Sequence, residues 1–71
     1  MVTLEKFVNE ELAQSEYKNL SVCDANGDLN VYDGNSFIGT FDVVRTEFSG
    51  NISNAQASFL WNAWSKFRKQ L

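Results

Sequence analysis

Seventy-one residues with six basic and nine acidic side chains, no His, no Pro and a single Cys give a chain of formal charge −3. That length suits one domain spanning 1–71, and a lone Cys excludes an intramolecular disulfide as its staple. Without His or paired Cys the usual zinc sets and His-assisted nucleophiles are missing, and no apolar run is long enough for a transmembrane helix.

For so short a chain the energetic balance is close. Burying roughly 7,200 Å² on folding, about 60% of it apolar, would contribute about 110 kcal/mol, and ordering the chain costs about the same. Six Phe, two Trp and two Tyr are the main apolar resource. They can build a compact core or an apolar interface, and a small core makes a homodimer a natural expectation.

The first predicted element is an amphipathic helix over Thr3–Gln14. Leu4, Phe7, Val8 and Leu12 recur at helical spacing. Thr3 is placed to cap it, and Glu5 lies in the first turn, where the helix dipole favours an acid. Glu11 falls inside the stripe and Ser15 continues its line, so the helix end is expected to leave the core with Glu11 at the rim.

An antiparallel meander follows, from Leu20 to about Phe48. Leu20-Ser21-Val22-Cys23 and Leu29-Asn30-Val31-Tyr32 alternate apolar and polar residues. Between them Asp24-Ala25-Asn26-Gly27 supplies a turn whose Asn-Gly pair tolerates positive φ. Asp33-Gly34-Asn35-Ser36 is the second turn. Phe37 through Val44 reads as a third strand, with residues 45–50 as its continuation and Gly39 as a bulge or a close backbone contact. Leu20, Val22, Leu29 and Val31 share one apolar face. The third strand is apolar on both sides, with Phe37, Phe41 and Val43 on one and Ile38, Thr40 and Val44 on the other. A partner surface is therefore expected there.

The last predicted element is a helix over Asn54–Gln70. Ser53 and Gln56 have the spacing of a capping box, and Ile52 and Ala57 that of a hydrophobic staple. Leu60, Trp64, Phe67 and Leu71 form a narrow stripe, with Trp64 as the expected core anchor. Ala57, Trp61, Ala63 and Phe59 widen the apolar arc beyond what a one-sided surface helix needs.

Charge is divided along the chain. Residues 1–35 hold seven acids and two bases, residues 36–71 two acids and four bases. Lys66, Arg68 and Lys69 crowd the last six residues, a placement that the helix dipole favours and that also suits an acidic partner.

Chemical motifs are weak. Asp24–Asn30 offers oxygen ligands at alternate positions, but a calcium loop of the helix–loop–helix type needs Gly sixth and Glu twelfth, where this chain has Leu29 and Asn35. Cys23 lacks a base, and Asp24 beside it opposes a thiolate. No carboxylate spacing singles out an acid–base pair, and the four Gly form no phosphate loop. Nucleic-acid binding through exposed sheet aromatics is disfavoured by a meander with five acids and one base, Arg45.

The expected fold is thus two-layer α+β, a three-stranded antiparallel meander packed against N- and C-terminal helices in the order αβββα. The expected function is non-catalytic, without cofactor, metal or membrane contact. It is that of a cytoplasmic protein–protein interaction or self-associating adaptor module; a small nucleic-acid-associated regulator is the alternative. The candidate interaction surface comprises Tyr32, Phe37, Ile38, Phe41, Phe59, Trp61, Lys66, Arg68 and Lys69.

Overall fold

A computed structural model describes residues 2–70. Their order is α1 (Leu4–Ala13), β1 (Leu20–Ala25), β2 (Asp28–Asp33), β3 (Ser36–Asp42), β4 (Glu47–Gly50) and α2 (Asn54–Lys69). The four strands form one antiparallel sheet in sequential order.

The sheet corrects the three-stranded expectation. Residues 47–50 do not prolong the third strand but return beside it, pairing Asp42 with Glu47 and Phe41 with Phe48. The reversal at Val43–Thr46 is built by a side chain. Asp42 Oδ1 accepts from the N–H groups of both Val44 and Arg45 at 3.1 Å, and Thr46 takes a left-handed φ of 55°. A β-branched run with no Gly or Pro reads as strand by propensity; here the Asp turn overrides it. Val44, at the tip, is 91% exposed.

The first hairpin follows its sequence signal. Asn26 and Gly27 have φ of 56° and 94°, the two positive values of a type I′ turn. Asp24 Oδ1 accepts from Gly27 N–H at 3.1 Å, so the would-be calcium ligand serves the turn.

A bulge decides the faces of β3. Val31 pairs with Gly39 and Tyr32 with Phe37, leaving Ile38 as the extra residue. Gly39 and Phe41 therefore join Leu29 and Val31 on the inner face, while Phe37 turns outward beside Tyr32. Gly39 is the close contact: a Cβ built there would collide with the Ser49 carbonyl oxygen and the Ile52 side chain.

Both helices pack on the inner face. Val8 and Leu12 of α1, Leu20, Val22, Leu29, Val31 and Phe41 of the sheet, and Leu60 and Ala63 of α2 form one buried cluster. Phe41 is its largest fully buried side chain. Phe48 stacks on it with centroids 4.4 Å apart, and Trp64 meets it edge-on at 6.1 Å. Phe7 and Phe67 join the two helices at 5.5 Å.

The expected caps are present. Thr3 accepts from Lys6 N–H, and Ser53 and Gln56 complete a capping box at 3.2 and 2.9 Å. Glu11 sits at the rim, where Lys66 Nζ meets it at 2.9 Å. Leu71, the last member of the predicted stripe, lies outside the described residues.

Candidate functional site

Three groups replace the single surface expected from sequence. Phe41 leaves it altogether. Its ring fills the centre of the core, between Phe48 and Trp64, because the bulge at Ile38 sets Gly39 and Phe41, but not Phe37, facing the helices. Ile38 is half-buried against the same core. Tyr32 and Phe37 remain on the outer face of the sheet, edge-to-face with centroids 5.7 Å apart. Phe37 is 57% exposed.

The third group lies on α2. Helical spacing puts Leu60 and Ala63 in the core and leaves Trp61 46% exposed. One turn on, Trp64 lies between the core and the solvent. Its ring touches Phe41 from within, and the Arg68 guanidinium covers it from outside, 5.0 Å from the ring centroid. This i, i+4 pair is a cation–π contact that holds the guanidinium in place while leaving N–H donors free to face outward. Trp61, Trp64, Ser65, Arg68 and Lys69 line an open depression on this face, which continues over Phe59, Asn62 and Lys66. Phe59 is half-buried and packs on Tyr17 at 5.3 Å, so its contribution is an edge. Lys66 is engaged by Glu11 across the helix pair. The positive charge set beside exposed aromatic surface is therefore that of Arg68 and Lys69.

Side chains at the edge of β1 play a part that composition did not single out. Asn9 presents its amide to Val22 in both directions: Oδ1 accepts from Val22 N–H at 2.8 Å, and Nδ2 donates to Val22 O at 3.0 Å. Glu5 Oε2 accepts from Asp24 N–H at 2.9 Å, and Tyr17 O accepts from Leu20 N–H at 2.9 Å. An Asn in the middle of a short helix is a poor helix former, and that was the available signal.

Carboxylates are dispersed over separate tasks. Glu5 serves the β1 edge, Asp24 and Asp42 serve turns, and Glu11 pairs with Lys66. Among the described residues no three metal-ligating side chains cluster, and no helix is long and apolar enough to cross a membrane. No protein-family model, curated protein or solved structure matches the chain. What is established is a small α+β domain of the architecture described, with no recognisable catalytic constellation among the described residues.

Proposed function

We propose that this domain is a non-catalytic protein-binding module whose α2 face receives an acidic segment of another protein. The observation that carries the reading is the Arg68 guanidinium held over the Trp64 ring, 5.0 Å from its centroid, beside the exposed Trp61 ring. A flat aromatic anchor next to a fixed guanidinium offers apolar burial and bidentate pairing to a carboxylate within one small patch. Two bases make a poor track for a phosphate backbone, whose affinity grows with the number of phosphates neutralised. They are enough for one or two carboxylates. The tasks already given to Glu5, Glu11, Asp24 and Asp42 support a module without acid–base chemistry. Cys23 is an exposed free thiol, in keeping with a reducing, cytoplasmic setting.

Selection of a random peptide display library against the domain tests this. Enriched peptides should carry Asp or Glu near an apolar anchor. They should lose at least tenfold in affinity when Trp61 or Arg68 is replaced by Ala, with the fold stability changed by no more than about 0.5–1 kcal/mol. Enrichment of basic peptides, an empty selection, or binding indifferent to Trp61→Ala would overturn it. So would tight binding of single-stranded oligonucleotides with no peptide selected.

A further inference from the structure

We propose that the free edge of β4 is a self-pairing edge, on which a second copy of this chain docks β4 against β4 to continue the sheet across a two-fold axis. This goes beyond the α2 patch, none of whose residues pairs with the second copy.

The two edges of the sheet differ. The outward N–H groups of β1 at Leu20, Val22 and Asp24 all have acceptors within the chain. On β4, Asn51 N–H donates to Ile38 O at 2.7 Å, which fixes which groups point toward β3. Antiparallel pairing alternates, so Ser49 and Glu47 also bond toward β3. The N–H and C=O of Phe48 point away from it, and among the described residues no side chain bonds them. An exposed row of this kind is a template for another strand.

A second copy fits that row by symmetry. A two-fold axis normal to the sheet keeps the inner faces of both copies on one side, so the paired positions sum to an even number. Centring the axis on Phe48 makes its N–H and C=O exchange both bonds with the same residue of the second copy. It also sets the two Phe48 rings side by side. The stack of Trp64, Phe41 and Phe48 would then run on into its copy, burying the remaining exposure of a half-buried ring. On the outer face the register sets Glu47 opposite Ser49 of the second copy, twice. No like charges stand directly opposite; the two Glu47 carboxylates are diagonal neighbours about 7–8 Å apart, a mild repulsion across the edge. With only four residues per strand, the pairing is weak and reversible.

Ser49 is exposed and its side chain lies on the outer face, so it reports on the register without touching the core. Sedimentation equilibrium of the full chain from micromolar to millimolar concentration should show a monomer–dimer equilibrium. Ser49→Lys should tighten it and Ser49→Glu weaken it, each by about two- to thirtyfold at low salt for two cross-strand charge pairs. Both variants should melt like the parent when dilute. A monomer at every concentration overturns the proposal, as does a dimer that neither substitution moves. A dimer dissolved by Trp61→Ala but not by Ser49→Glu would place self-association on the α2 patch instead. Peptide binding at that patch is read in the separate display experiment, so the two proposals fail independently.

Discussion

At the β1 edge of the sheet, three successive outward N–H groups meet a carbonyl, an amide and a carboxylate of the same chain. At the β4 edge the outward groups of Phe48 meet none among the described residues. The difference follows from what flanks each strand. The chain before β1 is a helix long enough to lie along the edge and present Glu5 and Asn9 one turn apart, with Tyr17 in the connection behind them. The chain after β4 turns through Asn51–Ser53 at once into α2, which dives under the inner face because Leu60 and Ala63 belong to the core. A helix that covers an edge must spend polar side chains on it, and a helix that covers a face spends apolar ones.

Substitutions sharpen this contrast, and the largest effect is expected where β4 is held to β3. Gly39→Ala drives a methyl into the Ser49 carbonyl and Ile52, and it should cost about 3 kcal/mol. It would detach β4 while leaving the β1 edge intact, as chemical denaturation with edge-resolved NMR would show. Asn9→Ala acts at the opposite edge. It strips both partners from the Val22 backbone and should cost about 2 kcal/mol in the same measurement. Glu5→Ala removes one exposed bond to Asp24 and should cost about 0.5–1 kcal/mol. Equal costs for Asn9→Ala and Glu5→Ala would mean that the Val22 amide is not sealed as described.

Much of this architecture could be read from residue order. Both helices, their caps, the Asn-Gly hairpin and the shared face of Leu20, Val22, Leu29 and Val31 rest on local patterns that the packing reinforces. The fourth strand escaped because its turn carries no Gly or Pro. Val43, Val44 and Thr46 favour strand, and only the short reach of the Asp42 carboxylate bends the chain. The bulge escaped in part. A Gly at position 39 announced an irregularity, but the extra residue is Ile38, so the assignment of Phe37 and Phe41 to one face failed by a single position. The α2 patch was half legible. Trp61 and the three terminal bases stood out, yet periodicity could not say that Lys66 would turn to Glu11 or that Arg68 would lie on Trp64. The edges left a single mark, the mid-helix Asn9, since backbone groups themselves leave none in composition.

The central claim, that one sheet edge is sealed within the chain and the other is left for a second copy, is tested most directly by amide hydrogen exchange at two protein concentrations. Val22 N–H should be slow at both, while Phe48 N–H should exchange fast in dilute solution and slow as concentration rises. A Phe48 amide as protected as Val22 in dilute solution, or one whose rate ignores concentration, would contradict it.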